Sequence, residues 1–262
     1  MSNTKSYELI EPDRLYINDS ETIAYHHLKG KSPTVIFLGG LMSDMTGTKA
    51  LAIEKHCDAL GRSFIRFDYS GHGQSSGEFT DGNISKWQKD TLFIIDKIVT
   101  GPVVLVGSSM GGWQMLLASV NRPERVRGLV GIAAAPDFTE ELIWMNFPQD
   151  IKEKIITDGQ IIVPSNYGDE GYPITYDLIE DGRKQLLLKN KISFSGPVRL
   201  LHGMNDNDVP WQTALRITEC LQSNDVVTSL IKNGDHRLSS ERDLERLMSI
   251  IDEICYIIED SK

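Results

Sequence analysis

Three cysteines in 262 residues, Cys57, Cys220 and Cys255, are too few for a disulfide framework, and none forms C-x-x-C. That count excludes a small stapled scaffold and a dithiol redox site, and it fits buried thiols in a reducing compartment. Positive charge is also short: 27 Lys and Arg stand against 37 Asp and Glu, a net charge of −10. With no basic stripe to neutralise phosphates, a nucleic-acid partner is excluded and attraction to an anionic membrane is weak. No apolar run approaches the ~18 residues of a membrane span, so no stable membrane insertion is expected. Residues 1–8 have neither the apolar core of a signal peptide nor the Arg-rich, acid-poor character of a transit peptide, which points to the cytoplasm. No His, Cys and carboxylate set has metal-ligand spacing. Gly71-His72-Gly73 lacks the third glycine and the following helix of a dinucleotide site. Neither a metal nor a cofactor is therefore expected, and internal repeats and low-complexity linkers are absent.

What is present is a chain with 40% hydrophobic residues, enough for one large core. Apolar β-branched runs alternate with amphipathic helical stretches, which predicts a single α/β domain over 1–262 with a mostly parallel sheet and helices on both faces. The central signal is Val103-Val104-Leu105-Val106-Gly107-Ser108-Ser109-Met110-Gly111-Gly112, a buried strand running into G-x-S-x-G and then a helical segment. A strand–tight turn–helix context makes this a nucleophile elbow. The spacing of Gly107 and Gly111 assigns the nucleophile to Ser109 and leaves Ser108 as a bystander, because the positions two before and two after the nucleophile pass too close for a Cβ.

The remaining chemistry follows from strand ends. The run at 34–38 feeds Gly39-Gly40-Leu41, where Leu41 N–H is positioned as one oxyanion donor and Met110 N–H, after the nucleophile, as the other. The strand at 198–203 ends in G-x-x-D-x-x-V-P, which places an acid at Asp206; Asp208 falls out of that register. Asp235 is adjacent to His236, so the two side chains point apart. Ser109, Asp206 and His236 thus stand in the order nucleophile, acid, base, and all three lie where parallel strands end on one side of a sheet. His26 and His27 alternate along a strand and read as structural, and His72, between two glycines, reads as a turn residue. Residues 137–195 break the α/β rhythm with mainly helical stretches at 138–147, 151–157 and 176–189. This insertion is expected to form a lid whose Trp144, Met145 and Phe147 line an apolar underside against the acyl group.

These stretches carry a family resemblance. The chain resembles the α/β-hydrolase superfamily over nearly its whole length. Within it, residues 43–45, 47–54, 65–71, 105–113, 199–204 and 235–237 are similar to the mitochondrial palmitoyl-protein thioesterases that also cleave acyl glucuronides. The resemblance implies an eight-stranded sheet, a triad on Ser109, Asp206 and His236, and S-acylated proteins or acyl glucuronides as substrates. Those enzymes carry a presequence and none is expected at 1–8 here, so a bacterial relative or a processed form in the mitochondrial matrix is the alternative. The residues alone support an ester or thioester with an apolar acyl part. A cofactor-free haloperoxidase-like enzyme and a non-catalytic binding module on the same fold remain open alternatives, and the oligomeric state is not defined.

Overall fold

A computed structural model describes residues 11–164 and 171–260. The apolar runs become strands β1 (Asp13–Tyr16), β2 (Thr22–Leu28), β3 (Lys31–Leu38), β4 (Arg62–Phe67), β5 (Val103–Ser108) and β6 (Val126–Ile132). They are interleaved with α1 (Thr48–Ala59), α2 (Ile84–Ile98) and α3 (Met110–Asn121). Then follow α4 (Gln149–Asp158), β7 (Gln160–Val163), β8 (Tyr172–Thr175), α5 (Tyr176–Lys184), β9 (Val198–Gly203), α6 (Gln212–Cys220), β10 (Val226–Ile231) and α7 (Glu241–Asp260).

The main sheet has eight strands in the order β1-β2-β4-β3-β5-β6-β9-β10. All neighbours from β4 to β10 pair in parallel, and β2 runs antiparallel to both β1 and β4. Strands of a parallel sheet are covered on both faces, which is why the central β5 is buried at every position. Alternation along β3 divides the core. Ile36 and Leu38 join Trp87, Trp113 and Leu116 on one side, and Val35 and Phe37 join Ile53, Leu247 and Ile254 on the other. Helix α7 meets that second layer with Leu247, Ile251, Ile254, Cys255 and Ile258, the i, i+4, i+7, i+8, i+11 spacing of one helical face.

From β3 the chain passes through α1 to β4 on one side, then through α2 to β5 on the other. Strand order therefore reverses between β3 and β5, and the crevice at their C-terminal ends is the natural ligand site of such a sheet. A recess of about 360 Å³ lined by Pro123, Val126, Phe194 and Pro197 lies by the first residues of β6 and β9, at the opposite edge.

Some expectations are corrected. Residues 7–10, which also read as a strand from the sequence, lie outside the described residues, and β1 at Asp13–Tyr16 pairs with β2. The insertion is less helical than its composition suggests. Its first expected helix is a π turn over Thr139–Ile143 and a 3-10 turn over Trp144–Asn146, and its middle holds the antiparallel hairpin β7–β8. The physical reason is local. Gly159 at φ 81° ends α4, and Tyr176 N–H closes back onto its carbonyl, so the short β-branched runs between them pair.

Candidate active site

Ser109 occupies the turn between β5 and α3 at φ 54°, ψ −118°, a conformation costly for any residue with a Cβ. The surroundings hold it there: Ser109 N–H donates to Ile132 O (3.0 Å), and Ser109 O accepts from Ala135 N–H (3.0 Å) and Gly112 N–H (2.9 Å). A Cβ on Gly107 would run into the Gly111 carbonyl, and one on Gly111 into that of Leu38. That crossing is the close approach expected of the two glycines. Ser108 is buried at the end of β5, and Ser109 is the one that meets the histidine.

His236 and Asp206 arrive from neighbouring strand ends. Met204 N–H donates to Ile231 O (2.8 Å) and Asn205 N–H to Gly234 O (2.9 Å), locking the loop after β9 to the loop after β10. His236 Nε2 lies 3.1 Å from Ser109 Oγ, and its Nδ1 lies 2.8 Å from Asp206 Oδ2. A carboxylate only accepts, so Nδ1 carries the proton and Nε2 is free to take the serine's. The Asp206 side chain is fully buried, and its Oδ1 accepts from the backbone N–H of Asp208 (2.9 Å) and Val209 (2.8 Å). Burial opposes its charge. Hydrogen bonds from His202 and His236 and from the Val209 amide prevail, and its carboxyl lies well below the usual carboxylate range.

The competing acids fall where the register put them. Asp235 Oδ1 accepts from Leu238 N–H (2.9 Å), shaping the turn beyond His236. Asp208 serves the site through its backbone amide. One departure is that Asp206, Asp208 and His236 offer oxygen and nitrogen atoms within 4.8 Å of one another, a cluster the linear spacing hid. Asp206 and His236 in it are already engaged with each other.

The two segments expected to carry the oxyanion donors, Leu41 and Met110, both adjoin Ser109. A Cβ on Gly40 would stand 3.5 Å from Ser109 Cβ, so the 39–42 turn abuts the nucleophile. Met110 N–H is the first of α3, aimed with the helix dipole's positive end. Among the described residues, neither Leu41 N–H nor Met110 N–H has a backbone acceptor outside regular helix and strand ladders.

Sequence reasoning missed two supporting residues. His202, on β9 and wholly buried, places Nε2 3.2 Å from Asp206 Oδ2 and 3.0 Å from Val209 O, bracing the acid loop. Lys49, on α1, donates Nζ to Arg237 O (2.6 Å) and holds the histidine loop; burial lowers its pKa to about 8. Position four before the acid was the only sequence signal for His202, and Lys49 had none. His72, read as a turn residue, is buried and accepts from Met42 N–H.

The insertion is fastened to the core by polar anchors. Asp181 accepts from Ser85 N–H and Oγ on α2 (both 2.7 Å) and Glu141 pairs with both ends of the Arg216 guanidinium on α6, while Asp137 ties the two ends of the insertion to each other by accepting from Leu187 and Leu188 N–H (2.8 and 2.9 Å). Leu142, Ile143, Trp144 and Phe147 pack on the core layer that contains Met110. Trp144 is flanked by Tyr176 (6.0 Å), Arg183 (4.6 Å) and Lys152 (5.6 Å). Met145 is 65% exposed, which corrects its place in the apolar underside. The π and 3-10 turns rotate that position off the face a regular helix would have presented.

A parallel sheet with its switch point between β3 and β5, a strained serine on the elbow after β5, and a histidine and acid from later strand ends define one class of protein. The chain belongs to the α/β hydrolase fold family, whose pattern matches residues 33–161. It is 45% identical over 237 residues to the mitochondrial palmitoyl-protein thioesterase ABHD10 of Bos taurus and 44% identical over 237 residues to that of Homo sapiens. Each match covers 90% of this chain and 77% of the relative. The solved structure of mouse α/β hydrolase domain-containing protein 10 superposes with a TM-score of 0.88 at 41% identity, covering 97% of this chain and all of that one. A putative hydrolase from Agrobacterium vitis S4 reaches the same TM-score of 0.88 at 39% identity, over 94% of this chain and 98% of its own. The mammalian relatives are named mitochondrial, against the cytoplasmic placement expected from the sequence. Among the described residues no helix is long and apolar enough to cross a membrane.

Proposed function

We propose that this chain is a serine hydrolase that removes apolar acyl groups from thioesters and esters, S-acylated proteins foremost, through an acyl-enzyme on Ser109. The observation that carries the reading is the continuous chain Asp206 Oδ2–His236 Nδ1, His236 Nε2–Ser109 Oγ, at 2.8 and 3.1 Å. His236 takes the hydroxyl proton as Oγ attacks the acyl carbon, and Asp206 stabilises the imidazolium that results. Leu41 and Met110 N–H receive the oxyanion. The proton then passes from His236 to the leaving thiol or alcohol. Water, deprotonated by the same histidine, releases the acid and restores Ser109. The relatives' names support a palmitoyl thioester as the substrate and favour the mitochondrial matrix as the location.

The test is turnover of a palmitoyl-cysteine peptide, with fluorophosphonate labelling of the same preparation. Ser109→Ala is expected to lose both by at least about 10³-fold, whereas Ser108→Ala keeps a substantial fraction. Labelling that persists in Ser109→Ala and vanishes in Ser108→Ala would overturn the assignment. Monochlorodimedone halogenation without ester turnover would replace the reading with a peroxidase.

A further inference from the structure

The turn carrying Leu41 has one backbone bond of its own, from Ser43 N–H to Gly40 O at 3.1 Å. It leaves β3 through two glycines, and Met42, next to the oxyanion donor, sits at φ 55°, a left-handed conformation that a methionine adopts only under constraint. That constraint is visible. Met42 N–H donates to His72 Nε2 at 3.2 Å, across 30 residues of sequence. His72 Nδ1 lies 3.3 Å from Ser70 O; a carbonyl only accepts, so Nδ1 holds the ring proton and Nε2 is a bare acceptor facing the amide. The ring cannot turn to offer anything else. It is 4% exposed and sits edge-on among Tyr69 (5.7 Å), Phe79 (5.2 Å) and Trp87 (5.2 Å), and Trp87 Nε1 in turn donates to Ser70 O (3.1 Å).

The far end of the turn is held separately. Met45 N–H donates to Asp68 Oδ1 at 2.6 Å, and Met45 O accepts from Arg66 Nη1 at 3.2 Å. Among the described residues, His72 is therefore the one side chain seen to hydrogen-bond the turn within a residue of Leu41.

We propose that His72 is a positioning residue for the oxyanion site, a neutral acceptor that fixes the Met42 amide and through it the direction of Leu41 N–H. Burial supports the neutral state by lowering the imidazole pKa to about 4. The inference rests on Ser109 being the nucleophile. It assigns His72 no contact with substrate and no proton transfer. Its contribution falls on the oxyanion, so it is felt in the transition state and not in substrate binding.

Two variants and one measurement on the unaltered protein test this. His72→Phe keeps an aromatic ring among Tyr69, Phe79 and Trp87 but removes the acceptor; His72→Gln restores an oxygen near the Nε2 position. With p-nitrophenyl butyrate, His72→Phe is expected to lose roughly 10- to 1000-fold in kcat, up to the loss of one oxyanion donor, with KM changed less than about threefold. Affinity for a trifluoromethyl ketone, which carries a tetrahedral oxyanion on Ser109, falls in parallel. His72→Gln recovers most of both. In the unaltered protein, the Met42 amide is expected to be protected from hydrogen exchange although its side chain is exposed. A His72→Phe protein within threefold of wild type in kcat, or an unprotected Met42 amide, would overturn the inference. So would a kcat loss that leaves ketone affinity unchanged. Turnover surviving in Ser109→Ala overturns this inference together with the reading beneath it. An active His72→Phe beside a dead Ser109→Ala overturns this inference alone.

Discussion

Asp206 gathers four donors: His236 Nδ1, His202 Nε2 and the backbone amides of Asp208 and Val209. Two belong to the loop that carries it, so the carboxylate shapes its own loop while it orients the histidine. Asp206→Asn puts an amide N–H against one set of donors and offers His236 the wrong tautomer. The expected loss is up to about 10⁴-fold in kcat. Asp208 contributes its amide N–H, which Asp208→Asn leaves in place, and the expected change is under about tenfold. The comparison is kcat for both variants on one activated ester, with circular dichroism confirming the fold. A dead Asp208 variant beside an active Asp206 variant would show the register to be wrong. Ser109, Asp206 and His236 were legible because glycine spacing and chain order constrain them. His202 and His72 were not, because their partners are a carboxylate and backbone groups that no side-chain pattern announces.

At the scale of elements, strands buried on both faces were legible as apolar runs: β5 and β9 begin and end where composition changes. The insertion was not, since its short segments take their form from contacts with α2 and α6 and not from their own periodicity. A role for the insertion in acyl selection is tested by separating Trp144 from Met145. Trp144, packed beneath Arg183 and Lys152 with Phe147 beside it in sequence, belongs to the apolar layer that continues to Met110. Trp144→Ala is expected to lower kcat/KM for a palmitoyl thioester by about 10- to 200-fold relative to an acetyl one, the range for apolar contacts of roughly 1–3 kcal/mol. Met145→Ala, at an exposed position, is expected to leave that ratio within about twofold. Equal losses on both chain lengths in Trp144→Ala would show that the insertion does not read the acyl group.

Across the whole molecule, buried titratable groups set opposing slopes of stability against pH. Burial raises Asp68 and Asp90 to about 6 despite the amides each accepts, from Met45 and Gln74 and from Ser70. Between pH 4 and 6 the folded protein then binds more protons at these two groups than the unfolded chain, so their contribution to stability falls as pH rises. His72, lowered by burial to about 4, and the half-buried His26 and His27, also lowered first by burial, bind fewer protons when folded. Their contribution rises through a window that overlaps, up to about 6.5. Asp206 acts elsewhere: depressed in the folded state, it loses its contribution only as pH falls below the ordinary carboxylate range. The two sets of groups therefore oppose one another between pH 4 and 6.5, and removing one carboxylate tilts that balance. Asp90→Asn keeps an oxygen for Ser70 N–H and cannot ionise beside Glu21 and Lys86, the charges that act on it. Relative to wild type, its stability in urea unfolding is expected to increase from pH 4 to pH 6.5 by up to roughly 3 kcal/mol, the energy of a two-unit shift. A difference that stays flat or shrinks over that range would mean that Asp90 is charged in the folded protein at no cost.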